Sequence, residues 1–221
     1  MKRSLALCVV LFCLAACDST GDHTAKSTDG VLVHYEIHGT GEPTLLLIHG
    51  WANDRTYWQP HMATLARTFR VVAVDLPGFA TSAGARTTWS INQLGTDVAS
   101  VVRQLAPSPV VVVGFSMGAA VALETGRQIP NLVRGIVTVD AFHDPHFKFT
   151  EALAQQLLPA FRAKWGDSAY MRSLVFSAGT PDTMLARYMR TIAQPFPERW
   201  WPALMAVWDW NNTQLTTALT Q

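Results

Sequence analysis

Apolar positions along the chain fall into two regimes. Residues 44–48, 71–74, 110–113 and 134–139 are short, nearly continuous apolar runs, the pattern of strands buried on both faces. Residues 30–38 alternate instead, with Val31, Val33, Tyr35 and Ile37 on one side, and 39–43 follow as a turn. Between the runs, the spacing switches to three and four. Residues 55–67, 91–105 and 117–128 are predicted as helices. In 91–105, Leu94, Val98, Val101, Val102 and Leu105 form a stripe, Ser90 and Gln93 suit a capping box, Trp89 and Leu94 suit a staple, and Pro107 and Pro109 end the helix. Strands alternating with helices predict an α/β fold with a mostly parallel, doubly wound sheet. From Pro145 onward no strand pattern appears. Residues 150–165, 182–193 and 198–210 are predicted helical.

Chemistry enters where the runs end. Val110-Val111-Val112-Val113 leads into Gly114-Phe115-Ser116-Met117-Gly118, a G-x-S-x-G motif between a strand and a small-residue helix start. In so tight a turn Gly114 and Gly118 leave room for neighbouring elements, and Ser116 is pushed above the sheet in strained geometry. The run 44–48 ends in His49-Gly50-Trp51. The run 71–74 ends in Asp75-Leu76-Pro77-Gly78-Phe79.

These motifs, in this order over about residues 30–144, closely resemble the α/β-hydrolase family. The resemblance implies a serine hydrolase of the carboxylesterase type, acting on an ester or related acyl bond without a cofactor or metal. Ser116 would be the nucleophile. The backbone N–H groups of Trp51 and Met117 would form the oxyanion hole, with His49 and Gly50 supporting that loop. Relatives with this elbow also include lyases, thioesterases, C–C-bond hydrolases and cofactor-free peroxidases. Ala80 stands where the family often has a second glycine. By the same resemblance, residues 30–144 are the core and 145–221 a helical cap. Trp200, Trp201, Trp208 and Trp210 would pack the cap onto the core or line a substrate pocket.

The pattern departs from the family after Ser116. The family's triad continues with an acid and then a histidine near the C-terminus, whereas here only His143 and His146 follow the serine. The expectation is therefore a chain lacking the last strands. Strand 135–139 would be an open edge, the tryptophans near 200–210 partly exposed, and no histidine within reach of Ser116. Asp140 is an alternative acid, since some family members place theirs after this strand, and His143 is an alternative base. His143-Asp144-Pro145-His146 matches no strong metal motif and reads as a solvated loop.

The N-terminus reads as an address. Lys2 and Arg3 precede an apolar stretch, 4–16, too short to span a bilayer. Leu14-Ala15-Ala16-Cys17 resembles the lipobox of bacterial lipoproteins. The resemblance implies a signal peptide over 1–16, lipid on Cys17 and a flexible tether over 17–29. The product would be an exported lipoprotein on a membrane facing the periplasm or cell exterior. Cys8, Cys13 and Cys17 are the whole cysteine complement, so the domain itself has no disulfide. With 17 Lys and Arg against 16 Asp and Glu and no basic run, nucleic acid is not an expected partner. Two functions follow: a membrane-anchored serine hydrolase with a small-molecule ester or acyl substrate, or a catalytically inactive fragment or binding lipoprotein that lacks the triad base.

Overall fold

A computed structural model describes residues 21–82, 86, 88–105, 108–141, 150–192, 196 and 198–214. Cys17, His143 and His146 lie outside these residues, as does the signal segment 1–16. Strands β1 (Gly21–Lys26), β2 (Leu32–His38), β3 (Thr44–Ile48), β4 (Arg70–Asp75), β5 (Val110–Phe115) and β6 (Val133–Val139) form one sheet in the order β1-β2-β4-β3-β5-β6. β2 pairs antiparallel with β1 and with β4; the pairs β3–β4, β3–β5 and β5–β6 are parallel.

The period of two along each strand divides the apolar residues between the sheet's faces. Leu46, Ile48, Val72, Val74, Val110 and Val112 enter the larger core. Leu47, Val71 and Ala73 enter the smaller one, with Trp58 and Met62. The smaller face is covered by a 3₁₀ turn, Arg55–Trp58, and helix α1 (Gln59–Leu65). The expected helix over 55–67 is thus a 3₁₀ turn followed by a shorter α-helix. Asp54 caps the turn by accepting from the Thr56 N–H at 2.8 Å.

The larger face carries α2 (Ile91–Leu105) and α3 (Met117–Gln128). Ser90 Oγ accepts from the Gln93 N–H at 3.1 Å, as an N-cap should. The Gln93 amide does not return to the cap; it reaches Asp97 at 3.3 Å. The helices cross closely at Gly95, where an added Cβ would stand 2.7 Å from Glu124 Cγ. Glu124, 0 % exposed, accepts from Asn92, Arg127 and Gln128, and from the Trp210 indole at 3.4 Å.

Four more helices follow: α4 (Glu151–Lys164), α5 (Ser168–Val175), α6 (Asp182–Thr191) and α7 (Trp201–Thr213). Helix α5 was not expected from the sequence; Asp167 caps it by accepting from Ala169 and Tyr170. Two expectations need correction. Gly21–Lys26, assigned to the tether, is a strand, because β2 supplies ladder partners along its whole length. Helix α7 packs onto the core, one of the two readings of its tryptophans: Trp200, Ala203, Val207 and Trp210 join the larger cluster. The second correction is that Trp200 and Trp210 are buried, at 7 % and 2 % exposed, rather than partly exposed. Trp201 and Trp208 are half-buried. As expected of strand 135–139, β6 is an open edge, with a neighbour on one side only among the described residues. Its outer side leaves Val137 47 % exposed.

Candidate active site

The C-terminal end of β5 turns into α3 within one residue. Ser116 holds φ +52°, ψ −117°, a left-handed conformation costly for any residue with a side chain. Its N–H donates to the Val139 carbonyl of β6 at 3.0 Å, and its own carbonyl accepts from Ala119 at 2.9 Å. Both ends of the turn are pinned while the side chain stays exposed. The flanking glycines are required by space. A Cβ on Gly114 would lie 2.1 Å from the Gly118 carbonyl oxygen; one on Gly118 would lie 2.6 Å from the carbonyl oxygens of both Ile48 and His49. A Cβ on Gly50 would meet the Phe115 ring at 2.9 Å. The elbow is thus wedged against the end of β3.

The loop after β3 is set by His49, which is fully buried. Its Nε2 accepts from the Leu76 N–H at 3.1 Å, so the proton sits on Nδ1, which donates to the Gly50 carbonyl at 2.7 Å. Burial pushes its pKa below the usual histidine value. With both nitrogens engaged, His49 is a brace for the loop and no base. Next, Ala52 adopts φ +58°, and the Asn53 amide donates to the Trp51 carbonyl at 3.0 Å. The Trp51 indole donates to the Trp200 carbonyl at 2.6 Å, and the Trp200 indole donates to the Gly78 carbonyl, also at 2.6 Å. Trp200 stacks on Phe79 at 4.7 Å between centroids. Ala80, at the family's glycine position, has φ +40°. Trp165, at the end of α4, meets the Trp51 ring edge-on at 5.4 Å.

Across the elbow, Tyr57 stacks on Phe115 at 4.4 Å and 14°. Burial, and then the charge of Asp140, push its phenol up to about 12. Asp140 itself is exposed at the end of β6 with φ +51°. Burial, with Tyr57 beside it, pushes the Tyr188 phenol of α6 up to about 12 as well. Sequence reading did not single out Tyr57 or Tyr188, because each gains its meaning from an element distant in the chain.

Among the described residues, the Ser116 hydroxyl has no hydrogen-bond partner, and none of the histidines His23, His34, His38, His49 and His61 bonds to it. Asp140, Trp51 and Met117 are brought to the elbow's end of the sheet by β6, the β3 loop and the start of α3. His143, the alternative base, lies outside the described residues. No cluster of three or more His, Cys, Asp or Glu side chains suited to a metal occurs among the described residues.

Similarity to known proteins agrees with this architecture. A pimeloyl-[acyl-carrier protein] methyl ester esterase from Sodalis glossinidius is 35% identical over 109 residues, 49% of this chain and 40% of that protein. A 2-(acetamidomethylene)succinate hydrolase from Mesorhizobium japonicum is 28% identical over 152 residues, 67% of this chain and 51% of that protein. The chain therefore spans about half, or less, of the length of these curated relatives. Among solved structures, a thermophilic esterase from Thermogutta terrifontis superposes with a TM-score of 0.69 at 20% identity, covering 86% of this chain and 73% of that one. An esterase from Exiguobacterium antarcticum does so at 0.69 and 18%, covering 84% and 73%. The model of the alpha/beta hydrolase fold family matches residues 43–161, and the chain belongs to that family.

Proposed function

We propose that the chain is a serine hydrolase of ester or related acyl bonds. The carrying observation is Ser116: an exposed hydroxyl on a residue held at φ +52° between a strand and a helix. Such strain persists only where the surroundings enforce it, and it collects at functional sites. The esterase named among the relatives supports the reaction class.

In this reading Ser116 Oγ attacks the substrate carbonyl while a base takes its proton. The carbonyl oxygen becomes an oxyanion and receives hydrogen bonds from the Trp51 and Met117 N–H groups. Met117 is the first residue of α3, so its N–H has no carbonyl within the helix to bond, and the helix N-terminus favours negative charge. Collapse expels the alcohol with a proton and leaves an acyl-serine, which water hydrolyses to free the acid and restore the hydroxyl. Two such donors contribute several kcal/mol to lowering the barrier, on the order of 3 kcal/mol each.

That no base meets the Ser116 hydroxyl among the described residues favours a second reading, a binding lipoprotein that keeps the pocket without catalysis. A fluorophosphonate probe separates the two. Covalent labelling of the wild-type chain, absent in Ser116→Ala, supports the hydrolase. No labelling of either supports the binding protein. Labelling that survives Ser116→Ala refutes the assignment of the nucleophile. Asp140 and His143 are the proposed alternative acid and base, tested by comparing the labelling rates of Asp140→Asn and His143→Gln.

The proposal extends to location. Cys17 would carry lipid, so that the protein is exported and tethered to a membrane through its N-terminus. Among the described residues no helix is long and apolar enough to cross a membrane. Mass spectrometry of the N-terminus, with detergent partitioning of wild type against Cys17→Ser, tests this. An unmodified N-terminus refutes it.

A further inference from the structure

A cavity of about 310 Å³ opens between α6 and the Arg55–Trp58 turn with the start of α1. Tyr57, His61, Phe176, Met184, Arg187 and Tyr188 contribute to its wall. The rings and Met184 make the wall largely apolar, and Arg187 and two phenols, with His61 and Thr191, supply its polar groups. Arg187 carries a fixed positive charge and can only donate. Among the described residues no carboxylate pairs with it: Asp182, the acid of α6, is held by Arg172. The phenol oxygens of Tyr57 and Tyr188 likewise make no hydrogen bond among the described residues. Both phenols keep their protons, each pushed up to about 12, and so are donors at neutral pH. The Asp140 charge that helps to raise Tyr57 comes from a side chain that does not line the cavity.

A largely apolar chamber with an unpaired guanidinium and two protonated phenols in its wall is complementary to a short carbon chain ending in an anion. A planar fork of N–H groups matches a carboxylate in two-point geometry. The volume, at the low end for ligand pockets, sets a small ligand. The position ties the chamber to the elbow, because Tyr57 stacks directly on Phe115, the residue before Ser116. We propose that this cavity binds the free carboxylate of the substrate, so that the preferred substrates are half-esters of short dicarboxylic acids. The inference rests on the hydrolase reading for the word substrate, while the binding it asserts does not require turnover.

The test is therefore made on binding first. The full chain carrying Ser116→Ala, which cannot form an acyl-serine, is titrated calorimetrically with monomethyl glutarate and with the neutral dimethyl glutarate. The half-ester is expected to bind at least about tenfold more tightly, the scale of a charge-assisted hydrogen bond. Adding Arg187→Gln is expected to bring the two ligands to about equal affinity. Tyr188→Phe, which keeps the ring and its packing, is expected to weaken the half-ester a few-fold. Circular dichroism and melting confirm that each variant is folded. If the half-ester fails to bind, if the diester binds equally well, or if the preference survives Arg187→Gln, the inference is overturned. Hydrolysis by the wild-type chain then separates this inference from the hydrolase reading. Equal turnover of both esters defeats the inference alone; no turnover of either, with the binding preference intact, defeats the hydrolase reading alone.

Discussion

The Leu76 N–H donates to Nε2 of His49 at 3.1 Å, which joins the end of β4 to the loop after β3 through a single buried ring. The bond needs an unprotonated Nε2, so the fold holds His49 neutral, with its pKa pushed by burial below the usual histidine value of about 6.5. Linkage then fixes a pH dependence. Below about pH 6.5 the unfolded chain takes a proton that the native ring refuses, so stability falls as pH falls through that range. The expected outcome is a urea midpoint that drops more between about pH 7 and about pH 5 for wild type than for His49→Asn. Equal drops would show that His49 is not held neutral.

The contact between Gly118 and β3 predicts an asymmetric pair of glycine substitutions. Gly118→Ala must move the carbonyl oxygens of Ile48 and His49, each 2.6 Å from the new Cβ. Backbone oxygens cannot swing aside like a side-chain tip, so the cost is expected at about 3 kcal/mol, with loss of Ser116 labelling. Gly135→Ala, on β6, meets nothing within 4 Å. There the smaller unfolded-state entropy leaves stability unchanged or raised by about 0.5 kcal/mol. Denaturant titration of both variants checks the difference.

Arg86 bridges two acids of unlike surroundings. Asp97 is fully buried and pairs with the guanidinium, and it also accepts from Ser27 Oγ at 2.5 Å; Asp29 is 40 % exposed and pairs at 2.6 Å. Asp97→Ala leaves a buried guanidinium short of its partner and is expected to cost about 3–5 kcal/mol. Asp29→Ala removes a solvent-screened pair and is expected to cost less than about 1 kcal/mol. Because Ser27 lies in the β1–β2 turn, amide exchange along Gly21–Lys26 should accelerate in Asp97→Ala and hardly change in Asp29→Ala. Uniform acceleration across the sheet would show that the network does not anchor the hairpin specifically.

What could be read in advance was what neighbouring residues decide. Gly114-x-Ser116-x-Gly118 encodes its own turn, and Ser90 caps the helix that its neighbours begin, so both appear in the structure where the sequence puts them. Gly21–Lys26 carries no such information. Its only buried apolar side chain is Ala25, and it is a strand because β2 offers a ladder and Arg55 reaches Asp22 at 2.8 Å. The tryptophans are an intermediate case. Trp200, Ala203, Val207 and Trp210 recur at spacings of three and four, a core stripe in plain view. Glu124 and Asp97 were silent because a buried acid on an amphipathic helix looks like a solvated one until its partners are placed. The Arg187 chamber is the extreme case, assembled from α1, α5, α6 and their flanks, whose association no local pattern records.

The strain at Ser116 predicts that the serine is kept at the expense of stability. Its dihedrals, φ +52° and ψ −117°, mirror a conformation that side-chain-bearing residues adopt freely, so glycine reaches them without penalty. Ser116→Ala retains the Cβ and with it the strain, at about 1–3 kcal/mol. Ser116→Gly removes the strain but returns about 0.5–1 kcal/mol through the greater freedom of the unfolded chain. The glycine variant is therefore expected to be the more stable of the two by about 1 kcal/mol, a melting difference of about 2–4 °C for a chain of this size. Both variants lose the hydroxyl, so neither should label with a fluorophosphonate, and the comparison isolates the backbone. If Ser116→Ala and Ser116→Gly melt together, the turn is not strained, and the argument that function holds a costly geometry at this residue fails.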